Sequence, residues 1–76
     1  MATSRKIIGI TIKFYRVKSK FTQQQLADRL QQDRQYIWKL ENGKINLTVD
    51  YLDTIIRALD KSHAEFFHQC KLSISK

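Results

Sequence analysis

The segment from Thr22 to Gly43, TQQQLADRLQQDRQYIWKLENG, reads as two short helices joined by a tight turn. Thr22 is an N-cap residue, Gln25 three positions on completes a capping box, and Phe21 and Leu26 are spaced to staple the entry. A helix therefore starts near Gln23. Leu26, Ala27 and Leu30 fall on one face of it, and Gln23, Gln24, Asp28 and Arg29 on the other, the pattern of a half-buried helix. Asp33 caps a second helix whose apolar members are Ile37 and Leu40 and whose end is marked by Asn42 and Gly43.

At 100° per residue, turning Ile37 and Leu40 inward puts Gln35, Lys39 and Asn42 on the far side, with Trp38 on a flank and Arg34 projecting from the first turn. This outward face is polar and basic. Arginine carries the fork that pairs with guanine in a major groove and glutamine the amide that pairs with adenine, so Arg34 and Gln35 are candidate base readers. Lys39 and Trp38 are candidates for bases or backbone, the tryptophan through a thymine methyl; its ring packing over the helix junction is the alternative. The two helix N-termini with Gln23 are placed to meet one phosphate, and Asn42 and Lys44 to bracket another. Tyr36 either donates to phosphate or packs.

The bounds on the whole chain agree with a single small domain. Its 76 residues have room for one modest core, and 14 Lys plus Arg against 7 Asp plus Glu give a net charge of +7, which favours a polyanionic partner. The one cysteine, Cys70, has no internal disulfide partner, and no signal peptide or membrane-length apolar run is visible, so a cytoplasmic setting is expected. With no proline and two glycines, nothing suggests a linker.

Residues 1–6 read as a flexible basic tail, or as an arm that touches DNA. In the run IIGITIKFYRVKSK, Ile8, Ile10, Ile12 and Phe14 alternate like a strand, whereas Ile8, Ile12 and Tyr15 share a helical face. A lone strand has nothing to pair with in so helical a chain, so helix is the expectation. Beyond Gly43, Leu47 and Thr48 staple and cap a fourth helix over Val49 to Leu59, with Leu52, Ile55, Ile56 and Leu59 inward. Ser62 and Glu65 form a capping box that opens a fifth, returning Phe66 to the core, with Phe67 either beside it or outside. Residues 7–70 then form the domain, and 71–76 a tail or subunit contact. Phe67, Cys70, Leu72 and Ile74, with Tyr51, are the candidate dimer surface; Leu72 and Ile74 alternate as a short strand across a dimer would.

From Ile8 to Phe67 the chain resembles the phage-repressor, Cro-like (XRE) helix-turn-helix family: FTQQQLA, QYIWKLENGK and NLT...L..I..AL....EFF stand in that family's order and spacing. The resemblance implies an all-α, compact five-helix, lambda-repressor-like domain with the helix-turn-helix at helices 2 and 3. It also implies an ion pair between Arg16 and Glu41 that ties the first helix to the recognition helix. One departure is visible: Gln31 stands in the turn where the family usually has glycine, so the turn is expected to be either slightly strained or shaped differently.

Other chemistries find little support. His63 and His68, five apart, point about 140° away from one another on a helix, and with Cys70 they lack a fourth ligand, so no metal is expected. No nucleophile with a base, phosphate loop or spaced carboxylate pair is present, so an enzyme is not expected, nor any cofactor or small-molecule ligand. RNA is disfavoured because the major groove of A-form RNA is too deep and narrow for side chains to read. The expectation is a transcriptional regulator that reads double-stranded DNA as a homodimer on a palindromic operator. In this the chain resembles the restriction-modification control proteins, which share the compact five-helix form and an arginine at the start of the recognition helix followed by Tyr-Ile. An antitoxin that binds a toxin partner and autoregulates through the same motif is the alternative.

Overall fold

The computed structural model describes residues 3–74 and folds them into five helices: α1 (Ser4–Lys18), α2 (Gln23–Leu30), α3 (Arg34–Glu41), α4 (Val49–Ala58) and α5 (His63–Ile74). No strand occurs among the described residues. The alternating isoleucines of α1 are helical: Ile12 and Tyr15 are buried and Ile8 packs against the core, while Ile10 and Phe14 stand in solvent.

Local side-chain chemistry sets the helix starts. Thr22 Oγ1 accepts from the Gln25 backbone N–H at 3.0 Å, and Gln25 Oε1 accepts from that of Thr22 at 2.8 Å. Asp33 Oδ1 accepts from the Tyr36 N–H at 2.7 Å and Thr48 Oγ1 from the Tyr51 N–H at 3.1 Å. Ser62 and Glu65 close a second box, each side chain accepting the other's backbone N–H at 3.1 Å. The Ser62 backbone N–H, then its hydroxyl, hold the Glu65 carboxyl below the ordinary glutamate value.

Two boundaries differ from the sequence expectation. The basic tail over residues 1–6 is in part the first turn of α1: Thr3 caps it by accepting from the Lys6 N–H at 3.3 Å, and the helix begins at Ser4. Met1 and Ala2 lie outside the described residues. At the other end α5 continues to Ile74, with Ser73 Oγ donating back to the Gln69 carbonyl at 3.2 Å, so Leu72 and Ile74 do not form a strand. No proline or glycine interrupts this stretch, and Cys70 anchors it inward. Ser75 and Lys76, the rest of the expected tail, are outside the described residues.

The helix ends share one device. Within two residues of the end of each of the first four helices one residue is left-handed: Lys20 (φ 63°), Gln31 (φ 56°), Gly43 (φ 71°) and Asp60 (φ 57°). In each case the next N–H bonds five residues back, Phe21 to Arg16, Gln32 to Ala27, Lys44 to Lys39 and Lys61 to Ile56, at 2.8–3.2 Å. These are Schellman closures, and glycine occupies the left-handed position in one of the four.

The core joins Ile12, Leu26, Ala27, Ile37, Leu40, Ile55, Ile56, Leu59 and Phe66, with Tyr15 at its edge. Burying each large aliphatic among them contributes about 1.5–3 kcal/mol. α1 packs against both α3 and α5, and α2 packs against α3 and α4. Where α1 crosses the end of α3 the backbones meet closely: a Cβ on Gly9 would stand 2.5 Å from the Leu40 carbonyl oxygen and 2.7 Å from that of Glu41. Thr11 and Cys70 join α1 to α5 at 3.2 Å. Because the Thr11 hydroxyl donates to the Ile7 carbonyl at 2.8 Å, the Cys70 thiol is the donor between them.

Candidate nucleic-acid interface

The N-termini of α2 and α3 converge on an open groove of about 510 Å³ lined by Gln23, Arg34, Gln35 and Trp38. The four come from two helix starts eleven residues apart, held in register by the Gln31 turn and by the caps Thr22 and Asp33. Arg34, Gln35 and Lys39 are exposed, while Ile37 and Leu40 are buried beneath them. Trp38 is 46 % exposed and forms a wall of the groove. A cationic fork, two amides and an aromatic ring thus face one concavity.

This face is fixed from behind by a buried ion pair. Arg16 Nε donates to Glu41 Oε2 at 2.5 Å and Arg16 Nη2 to Oε1 at 3.3 Å, with the Glu41 side chain 1 % exposed and that of Arg16 11 %. Arg16 Nη1 donates to the Phe21 carbonyl at 2.8 Å, so one guanidinium binds the end of α1, the entry to α2 and the end of α3. The arrangement places Arg16 inside the domain. Gln23 Nε2 also donates to Glu41 Oε1, at 3.1 Å. An ionised carboxylate only accepts, so the Gln23 amide turns its nitrogen inward and its oxygen away from Glu41.

Of the other candidate contacts, Asn42 bonds within α3, Lys44 is exposed, and Tyr36 packs, one of the two roles expected of it. The Asn42 amide nitrogen donates to the Trp38 carbonyl at 2.8 Å, so this side chain helps to close α3. Lys44 is exposed just past Gly43. Tyr36 is half-buried and packs edge-on against Tyr51 at 6.2 Å. Burial first, and the Tyr51 hydroxyl second, push its phenol above the usual tyrosine value. Together with Gln32, Asn46, Leu47 and Thr48 the two tyrosines line a second groove of about 360 Å³, and Gln32 Nε2 donates to the Tyr51 hydroxyl at 3.1 Å. Tyr51 belongs to this groove beside α3, a grouping that depends on the α3–α4 loop and has no local signature.

The candidate dimer residues do not form one surface. Cys70 is buried against Thr11: one turn after Phe66, it shares that residue's inward face. Phe67 and Ile74, seven apart, share an exposed face, whereas Leu72 lies about 200° round the helix from Ile74. His63 pairs with Asp53 at 2.8 Å and stacks on Phe67 at 6.5 Å. Among the described residues no group of three metal-binding side chains assembles. No helix there is long and apolar enough to cross a membrane.

Comparison with known proteins agrees with this geometry. The helix-turn-helix family model matches residues 12–66. Among curated proteins nothing matches. The restriction-modification controller protein C.Esp1396I, crystallised as a tetramer with its natural 35 base-pair operator, superposes with a TM-score of 0.89 at 30% identity, each chain covered over 100% of its length. The same protein bound to a 25 base-pair operator site gives a TM-score of 0.87. The clp gene regulator ClgR from Corynebacterium glutamicum shares the fold at a TM-score of 0.89 and 22% identity, over 97% of this chain and 79% of its own. A helix-turn-helix match over most of the chain, on a fold whose second and third helices open one basic groove, identifies the chain as a member of the XRE-type helix-turn-helix family of DNA-binding transcriptional regulators.

Proposed function

We propose that the protein regulates transcription as a homodimer on a roughly palindromic duplex operator, in the manner of a restriction-modification control protein. The observation that carries this is the shared groove of Gln23, Arg34, Gln35 and Trp38, basic, open and rigidly backed by the Arg16–Glu41 pair. The controller protein that covers the chain end to end and is crystallised on operator DNA supports the same reading.

In this reading α3 enters the major groove. Arg34 pairs with a guanine through two N–H bonds, Gln35 reads a neighbouring adenine, and Trp38 and Lys39 contact a thymine methyl and a base edge or phosphate. The first N–H groups of α2 and the Gln23 side chain meet the backbone on one side, Lys44 on the other. Asn42 offers phosphate the N–H it does not use within α3. Tyr36 supports α4 against α3 and brings its hydroxyl to the groove edge. A module this small buries little DNA surface, so affinity comes from two copies whose half-sites lie about one turn, ~34 Å, apart. Phe67 and Ile74 supply the apolar part of the subunit contact, with Leu72 and Tyr51 outside its centre. The regulator works in the cytoplasm, where the operator is, and performs no catalysis.

Selection of bound sequences from a random duplex pool tests this. The expected product is an inverted repeat with a guanine contacted in each arm, bound by two copies. Enrichment of a single unrepeated site bound by one copy overturns the homodimer, and no enrichment at all overturns sequence reading.

A further inference from the structure

One apolar surface has no part in the DNA-facing groove or in the core. Ile10, Phe14 and Val17 recur at i, i+4 and i+7 on the side of α1 away from Ile12 and Tyr15, and are 47%, 40% and 56% exposed. With Lys13 and Lys18 they line a groove of about 540 Å³. Lys18 Nζ lies 5.6 Å from the centre of the Phe14 ring. Neither Lys13 nor Lys18 forms an ion pair among the described residues, although Lys18 lies within the electrostatic reach of Glu65. α1 itself carries Arg5, Lys6, Lys13, Arg16 and Lys18 and no acidic residue, and Arg16 alone of these is committed to a buried carboxylate. Three large apolar side chains stand about half exposed between lysines, Phe14 with its ring edge-on to Tyr15 at 5.1 Å, on a helix that satisfies its core with its other face, and form a ready-made receptor stripe.

We propose that this outer face of α1 docks an amphipathic helix of a partner protein whose apolar ridge is bordered by Asp or Glu. The i, i+4, i+7 spacing accepts the anchors of a helix laid along it, and the lysines at its rim select acidic flanks. A second copy of the chain fits less well, because a two-fold contact sets the lysine-rimmed stripe against itself between molecules of net charge +7. A bilayer fits less well too: the stripe spans two helical turns, and the remainder of α1 is fixed in the core, so the helix has no long apolar face to immerse.

The test uses the full-length protein and a synthetic, dye-labelled helical peptide with a leucine stripe bordered by glutamates, followed by fluorescence anisotropy and by NMR shifts of the α1 amides. Two control peptides carry the same stripe bordered by lysines, or the same glutamates with the stripe scrambled. Binding is expected for the first peptide alone, with shifts centred on Ile10 to Val17. Phe14→Ser is expected to weaken it at least about tenfold, the loss that truncating a hot-spot aromatic anchor brings, while operator affinity stays unchanged. Should Phe14→Ser unfold the domain, Val17→Ser serves in its place. Equal binding of the scrambled peptide, indifference to both substitutions, or shifts centred on α3 overturns the proposal. So does Phe14-dependent capture by phosphatidylglycerol vesicles without peptide binding, which assigns the face to lipid. A Phe14-dependent change in the oligomer seen by sedimentation overturns it in favour of a second copy.

Discussion

Gln23 and Glu41 are joined at 3.1 Å, from the amide nitrogen at the start of α2 to the same carboxylate oxygen that takes Arg16 Nη2. A side chain that lines the groove is therefore held by the ion pair that holds the fold. Removing Arg16 strands the Glu41 carboxylate in the interior, so Arg16→Met is expected to destabilise the domain by about 3 kcal/mol or more. Gln23→Met deletes one bond and leaves the pair intact, and is expected to cost about 1 kcal/mol and to weaken DNA binding. Urea midpoints of the two variants measure the difference; an Arg16→Met loss no larger than that of Gln23→Met contradicts a buried, mutually dependent pair.

Arg34 and Lys44 are expected to separate base reading from charge attraction. Arg34→Ala, on an exposed side chain of the groove, is expected to cost about 1–3 kcal/mol and to relax preference at one base pair with the fold unchanged. Lys44→Ala is expected to weaken all sequences alike and to lower the slope of log affinity against log salt by about one. Gel-shift titrations on an operator, a point-substituted operator and an unrelated duplex, each over a salt series, distinguish them. Uniform weakening by Arg34→Ala reassigns that residue to phosphate.

The helix-turn-helix bend carries a removable strain. Gln31 holds φ 56° and ψ 41°, a conformation that disfavours a side chain by about 1–2 kcal/mol. Glycine adopts it freely but is more disordered when unfolded, so Gln31→Gly is expected to gain a net of about 0.5–1 kcal/mol. Thermal melting reads this as a rise of a few degrees in Tm, ~4–8 °C per kcal/mol for a domain this size. An unchanged or lower Tm means that the Gln31 side chain has a compensating contact.

Gly9 is expected to behave opposite to helix propensity. In an open helix Gly→Ala gains about 1 kcal/mol, but here the methyl meets two backbone carbonyls that no rotamer change can move. Gly9→Ala is expected to cost about 1–3 kcal/mol and, by shifting α1 against the end of α3, to disturb the Arg16–Glu41 geometry. Chemical denaturation settles the sign; a stabilised variant means that the two helices separate without cost.

What the chain reveals on inspection is governed by how local the cause is. The starts of α2, α3, α4 and α5 were legible because Thr22, Asp33, Thr48 and Ser62 each cap within three residues of themselves. The start of α1 was not, since Thr3 is followed by lysine at the position where a glutamate or glutamine would have marked a capping box. The rotation of α3 was readable from Ile37 and Leu40, which are buried together with Glu41. On α5 the inward step from Phe66 to Cys70 was readable at i, i+4, but the exposed Phe67 beside it drew both residues toward an interface reading. Other features depend on segments far apart in sequence: the Gly9 crossing, the Tyr36–Tyr51 groove, and the Gln23 bond to Glu41. No window of the chain contains both partners of any of these, so packing alone reveals them.

The sulfur of Cys70, the chain's one thiol, sits where the first and last helices meet, donating to Thr11, and burial raises it above the ordinary cysteine value. Thiolate is the form that alkylating reagents attack, and here it is both scarce and sealed. The native molecule is thus already suited to labelling at a chosen point: a dye attached through Lys39→Cys reports on DNA without first deleting the natural sulfhydryl. Slow modification of Cys70 itself, in turn, clocks how often α1 and α5 come apart.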